Sequence, residues 1–282
     1  MRLAVTGAAG LFGAGLVRVL SANNDVLGLT RADADVRDSE ALRQRLEPFR
    51  PEVIIHAAAI PSPDVSEQNP RLAHDVNVGG TEAVIQVARG LGASVALISS
   101  DAVFDGTKNA PYVESDPPNP IGVYGLTKLL AEKCVRVSEN HFIFRVSVLF
   151  GRDKPNFISK GLDNIRAARD YVVAVDQLGS ATYVDDAATT IFHVLHAKAY
   201  GTFHLSNSGE CSRYELACKA AAVAGLDISK VVGLPLAAMQ RPGPRVAYSV
   251  MALDELAKRG FPVLRHWKDA LAEYLASLAT VK

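Results

Sequence analysis

The chain has 282 residues, with 30 Lys plus Arg against 30 Asp plus Glu and a formal charge of zero. That length buries a sizeable core as one large α/β domain, or as a nucleotide-binding domain with a smaller lobe, without disulfides or metal. The balanced charge excludes the basic footprint of a nucleic-acid binder or a membrane-surface protein and leaves small molecules or other proteins as partners.

In chain order, strands are predicted at 3–6, 26–29, 53–56, 95–99 and 142–148, where short apolar runs sit between turn residues. Segments 11–20, 39–46, 72–89 and 123–137 lie between them and carry apolar residues at helical spacing. This alternation is that of a doubly wound parallel sheet, a Rossmann arrangement, over residues 1–150. After Gly151 the pattern loosens. A strand is expected at 171–175, a helix at 185–196 begun by Asp185 and Asp186 as caps, and a strand at 202–205. A helix follows from Ser212, where Ser212 and Glu215 form a capping box. A proline-rich loop at 241–244 and a helix at 267–278 complete the chain. Residues 151–282 are read mostly as a substrate-binding lobe, with 176–200 returning to the sheet.

Cys134, Cys211 and Cys218 are an odd set without zinc spacing and read as thiols of a reducing compartment. Residues 1–7 are too poor in apolar side chains for a signal-peptide core, and no run approaches the ~18 apolar residues of a membrane span. A cytoplasmic protein is the expectation. His193 and His196 are three apart on one predicted helix, yet no further ligand is placed to join them, so no metal is expected.

The segment Gly7-Ala8-Ala9-Gly10-Leu11-Phe12-Gly13 is a G-x-x-G-x-x-G loop between a strand and a helix. Glycine lets the backbone turn sharply and approach a pyrophosphate, whose charge meets N–H groups at the helix N-terminus. A dinucleotide is therefore expected on Gly7, Gly10, Leu11, Phe12 and Gly13. At the end of the second strand an NAD enzyme places an acid on the ribose 2′-hydroxyl, whereas this chain has Thr30 and Arg31. Arg31 suits a 2′-phosphate, so NADP is preferred to NAD; Asp33 leaves a ribose contact open.

Tyr124-Gly125-Leu126-Thr127-Lys128 is Y-x-x-x-K at a predicted helix start, which puts phenol and ammonium on one face. The ammonium is expected to lower the tyrosine pKa toward neutrality and make it a usable acid. Ser99-Ser100-Asp101 ends a strand upstream and offers a hydroxyl for the same carbonyl oxygen. His56, closing the third strand, is expected to line the cofactor cleft rather than to catalyse.

The set Gly7, Gly10, Gly13, Ser100, Tyr124 and Lys128 resembles the extended short-chain dehydrogenase/reductases, and the nearest likeness is to the dTDP-4-dehydrorhamnose reductases. It extends along most of the chain. Residues 51–59 look like that family's strand motif, Asn77 like the asparagine of its following helix, and 99–106 like its S-T-D-Y-V-F-D-G. Also similar are residues 112–114, Asn156-Phe157, 176–179 and Arg241-Pro242. The resemblance implies Ser100, Tyr124 and Lys128 as catalytic residues. It implies cofactor contacts from Asp35, Val36, Ala57, Ala58, Ala59, Asn77 and Ser99 besides the glycine loop, Tyr124 and Lys128. Substrate contacts are implied for Ser100, Asp101, Ala102, Tyr124, Val148, Asn156 and Gln177.

The departures are Ala102 where the family has tyrosine, Val148 where tryptophan is expected, and Ala181 where proline is expected. They bear on which sugar and base are bound. The function implied is NAD(P)H-dependent reduction of the 4-keto group of a nucleotide-activated deoxysugar, in a possible homodimer. Residues 201–204 and 214–218 also look like the β subunit of methionine adenosyltransferase, which implies a regulatory cofactor-binding subunit as an alternative. A nucleotide-sugar epimerase is the third reading. Dehydration is disfavoured, because Ala102 stands where a dehydratase places glutamate.

Overall fold

A computed structural model describes residues 1–279; the last three residues of the expected second lobe lie outside the described residues. Its first half lays down strands β1 (Arg2–Thr6), β2 (Asp25–Leu29), β3 (Val53–His56), β4 (Ser94–Ser100) and β5 (His141–Val146). The short strands β6 (Leu149–Phe150), β7 (Tyr171–Ala174), β8 (Leu178–Gly179) and β9 (Thr182–Tyr183) follow. After them come β10 (Gly201–His204), β11 (Cys211–Ser212), β12 (Val231–Leu234) and β13 (Tyr248–Ser249). The main sheet has six strands in the order β10-β5-β4-β3-β1-β2, all parallel.

Period-two alternation sorts the sheet's side chains between two cores. Leu3, Val5 and Ile55 face one way and pack with the helices α1 (Leu11–Leu20) and, much later in the chain, the one at Val184–His196. Ala4, Ile54 and Leu97 face the other way, under the helices α2 (Ser39–Leu46), Gly80–Leu91 and Val123–Val135. Both faces are covered, which is why β3 reads as an unbroken apolar run rather than an alternating one.

A further helix, α3 (Pro63–Gln68), precedes the helix expected at 72–89, which is divided into α4 (Pro70–His74), a π-helical turn Asp75–Gly79 and α5 (Gly80–Leu91). Pro63 and Pro70 each start a helix, where the missing N–H costs nothing. Then come α6 (Val123–Val135), α7 (Phe157–Arg166), α8 (Val184–His196), α9 (Arg213–Val223), α10 (Asp254–Lys258) and α11 (Trp267–Ala279).

β10 pairs with β5, and Phe203 joins the core of α1 and α8. Asp185 and Asp186 do not cap α8, whose N-cap Tyr183 makes no side-chain cap bond. Their carboxylates hold arginines instead. Arg18 of α1 bridges Asp153 at 2.8 Å and Asp185 at 2.5 Å, and Arg265 meets Asp186 at 2.8 Å. A separate core of Phe150, Ile158, Tyr171, Leu216, Trp267 and Tyr274 lies under α7, α9 and α11. Between it and the end of β4 opens the cleft.

Candidate active site

The turn after β1 forms a cradle that only glycine can line. Gly7 has φ +73°, and a Cβ on it would stand 2.6 Å from the Ala58 nitrogen. A Cβ on Gly13 would stand 2.2 Å from the Gly7 oxygen, so helix and loop touch backbone to backbone. No side chain caps α1, and its first turn holds no acid. The N–H groups of Leu11, Phe12 and Gly13 are thus left for an anion. Phe12 itself is buried in the core, so its main chain is what it can offer. This arrangement fits the pyrophosphate of a dinucleotide.

Beyond the end of β2, Asp33 Oδ2 accepts from Thr30 N at 2.9 Å and from Thr30 Oγ1 at 2.6 Å, which closes the turn after that strand. Asp35 takes both Arg37 Nε and Arg37 Nη2, at 2.9 and 2.7 Å. The Arg31 side chain is 85% exposed and pairs with Asp35 at a long 3.8 Å, with most of its guanidinium open to a phosphate. Val36 packs on Gly80. Of the acids near this strand end, none projects unpartnered toward a ribose, and the residues present suit a 2′-phosphate better than a 2′-hydroxyl.

Ser100 closes β4 and faces the cleft, a cavity of about 440 Å³ also lined by Asp101, Ala102, Tyr124, Val148 and Gln177. Its volume falls in the range of small-molecule sites. The Ser100 hydroxyl donates to Asp101 Oδ1 at 3.0 Å and accepts from Ala102 N at 3.1 Å, and Tyr124 lines the same cleft. Asp101 is held on its other oxygen by Ser147 Oγ at 2.5 Å and Ser249 Oγ at 2.6 Å. Gln177 is oriented by a 3.3 Å bond from its Nε2 to the Val246 carbonyl.

Helix α6 presents Tyr124 and Lys128 one turn apart. Its N-terminus has no cap of its own; Glu67 of α3 accepts from Val123 N at 3.1 Å. Burial pushes the Tyr124 phenol up to about 12, the Ser100 hydroxyl opposing this and the Asp101 charge adding to it. The expected lowering toward neutrality is therefore absent, and the group is a firmly protonated acid. Burial pushes the Lys128 ammonium down to about 8, against the pull of Glu132 one turn further on. Both carry their protons at neutral pH.

Several expected site residues do other work. Ser99 points to the opposite face of β4, where its hydroxyl donates to Glu132 Oε1 at 2.6 Å. Asn77 is buried: its Oδ1 accepts from Ile60 N at 2.7 Å and its amide donates to Thr127 Oγ1 at 2.9 Å, pinning α6 to the loop after β3. Asn156 is not in the cleft. It caps α7 and donates to Gly151 O at 2.8 Å and Tyr274 Oη at 2.9 Å. His56 is fully covered and shares a 2.7 Å bond with Thr6 Oγ1, and burial holds its pKa down at about 3. Among the described residues no three His, Cys, Asp or Glu side chains gather to hold a metal, and no helix is long and apolar enough to cross a membrane.

Reading the sequence missed Glu67, Arg213 and Arg245, all of which line the cleft, and Glu132 behind it. Only Glu132 left a signal, since it continues the spacing of Tyr124 and Lys128 by another four residues. Arg245 reaches across the cleft mouth to Asp64 at 2.7 Å, and Gly243 N donates to the same carboxylate at 3.1 Å.

The chain is similar along its whole length to characterised proteins. It is 33% identical over 286 residues to a dTDP-4-dehydrorhamnose reductase of Streptomyces griseus, covering 98% of this chain and 94% of that one. It is 34% identical to a dTDP-4-keto-6-deoxy-D-glucose reductase of Streptomyces niveus, with 96% of each chain covered. Among solved structures, the dTDP-4-dehydrorhamnose reductase of Bacillus anthracis in complex with NADP superposes with a TM-score of 0.94 at 30% identity, covering 98% of this chain and 99% of that one. The family model described as the RmlD substrate binding domain matches residues 1–280. Every element that builds the glycine cradle and the cleft falls inside that match, and the chain belongs to the RmlD substrate binding domain family.

Proposed function

We propose that this protein is an NADPH-dependent reductase of the 4-keto group of a dTDP-activated 6-deoxy sugar. The observation that carries the reading is that Ser100 and Tyr124 line one cleft, with Lys128 buried one turn further along the helix of Tyr124. The relatives' named activities agree with it. The glycine loop of residues 7–13 would hold the pyrophosphate, and Arg31 the 2′-phosphate that distinguishes NADP.

When bound, the dinucleotide supplies the hydride. Tyr124 gives its proton to the oxygen that gains charge as the ketone is reduced. Its raised pKa keeps that proton available throughout the physiological range. Ser100, still accepting from the Ala102 N–H, turns its one O–H from Asp101 to the same oxygen, an electrostatic contribution worth about 3 kcal/mol in comparable sites. Lys128 keeps a buried positive charge one turn along the helix from Tyr124. Asp101 acts as a positioning residue, tying the end of β4 to Ser147 and to Ser249 of β13. Ala102 brings no acid into the cleft, so proton abstraction of the dehydratase kind lacks its base.

In this reading residues 1–150 hold the cofactor, 151–282 mostly hold the sugar nucleotide, and the part that returns to the sheet belongs with the first. The test is NADPH and NADH oxidation, followed at 340 nm in a panel of 4-keto nucleotide-sugars. Turnover of dTDP-4-keto-6-deoxy sugars with preference for NADPH is the expected result. Tight NADPH binding with no turnover of any member would contradict it and favour a regulatory subunit.

A further inference from the structure

Arg213 opens α9, and its position is tightly set. Ser212 caps the helix in a capping box with Glu215, and Arg213 N donates to Gln177 O at 3.1 Å. The side chain lies over Gly179, where a Cβ would stand 3.5 Å from Nη1. From there it lines the cleft that contains Ser100 and Tyr124. Its Nη1 is buried and has no hydrogen-bond partner among the described residues.

No acid of the cleft hydrogen-bonds that nitrogen. Asp101 is the acid whose charge it feels most, but both Asp101 oxygens already accept hydroxyl bonds from Ser100, Ser147 and Ser249. Glu67 accepts from the start of α6. The neighbouring Arg245, by contrast, has its own partner in Asp64. Burial presses the Arg213 pKa downward, which is the mark of a charge left without its solvent or a counter-ion. A guanidinium kept in that state is costly to the fold, and its planar fork matches the oxygens of a phosphate.

We propose that Arg213 is an anion-binding residue of the cleft and takes a phosphate of the substrate's diphosphate. This rests on the reading of the cleft as a nucleotide-sugar site and deepens it. A carboxylate on the sugar ring presents the same chemistry, and the experiment separates the two sources.

The experiment is titration calorimetry of wild type, Arg213→Met and Arg213→Lys with dTDP, thymidine and NADPH, alongside thermal melts. Methionine keeps length and bulk and deletes the charge. Affinity for dTDP should fall about tenfold or more in Arg213→Met, in line with losing a charged hydrogen bond, and by less in Arg213→Lys. Thymidine and NADPH should bind as in wild type. The melting temperature of Arg213→Met should match or exceed wild type, because an unpaired buried charge has gone.

An Arg213→Met protein that is folded and binds dTDP as tightly as wild type overturns the proposal. So does one that binds dTDP normally but discriminates against a dTDP-hexuronate, since the group taken is then a carboxylate. Wild-type protein that binds NADPH but neither dTDP nor UDP contradicts the proposed function itself, a different and separately recognisable result.

Discussion

Two arginines withdraw their charged ends from water, and the regions around them answer that charge in opposite ways. Behind the sheet, Arg145 of β5 is 1% exposed and fully met: Nε and Nη2 reach Glu132 at 2.9 and 2.8 Å. Its Nη1 donates to Glu114 O at 3.3 Å, and its guanidinium lies 5.0 Å from the Phe104 ring centre. Ser99 completes the Glu132 carboxylate. Across the molecule, Arg213 reaches into the cleft with a buried nitrogen that nothing meets. A satisfied buried charge is a clamp, here between α6, β4 and β5. An unsatisfied one is the feature expected of a binding site, where stability is given up for function.

The clamp can be broken most visibly at Glu132. Glu132→Gln leaves Arg145 buried without its counter-charge, and a loss of about 3–5 kcal/mol is expected from such pairs. At ~2–4 °C per kcal/mol for a chain of this size, calorimetric melting should drop by on the order of 10 °C. Adding Arg145→Met should recover most of it. A Glu132→Gln protein that melts with wild type would show that the Arg145 region is not the clamp described.

A second comparison is between the two charges that face the adenosine groove, Arg31 exposed and Asp33 tied to Thr30. Arg31→Asp should weaken NADPH by about tenfold while sparing NADH, because attraction for the 2′-phosphate becomes repulsion. Equal loss for both dinucleotides, or none for either, would remove Arg31 from this role.

The two protonated groups of α6 also differ, and pH separates them. Lys128 releases its proton near pH 8, whereas Tyr124 holds its own to about 12. Turnover should stay level from pH 6.5 to 7.5 and decline above 8 as the ammonium is lost, by up to about tenfold per unit. A rate that stays level to pH 9.5 would mean that the Lys128 charge is dispensable.

The same contrast explains what could be read from the residues alone. The glycine loop and the Tyr124–Lys128 pair are local patterns, in which spacing along one turn or one helix face decides the geometry. The main-sheet strands were legible because each is an apolar run between turn residues. The two-residue strands β6, β8, β9, β11 and β13 were not, since pairing rather than side-chain pattern makes them. Asn156 shows that a helix cap and a substrate ligand look alike in sequence, and the structure has it capping α7. Ser99 and Ser100 look alike too, and only the alternation of a strand sends one to Glu132 and the other to the cleft. Arg213 was invisible for the opposite reason: its importance lies in contacts it does not make.

The most direct test of the central claim, that Tyr124 is the acid of a ketone reduction in this cleft, is the single-turnover rate of Tyr124→Phe with NADPH and dTDP-4-keto-6-deoxy sugar. The substitution removes one oxygen and leaves the ring and the glycine loop in place. The account predicts a rate lower by ~10²-fold or more with the NADPH dissociation constant within about twofold of wild type. A Tyr124→Phe protein that reduces the sugar at the wild-type rate would contradict it.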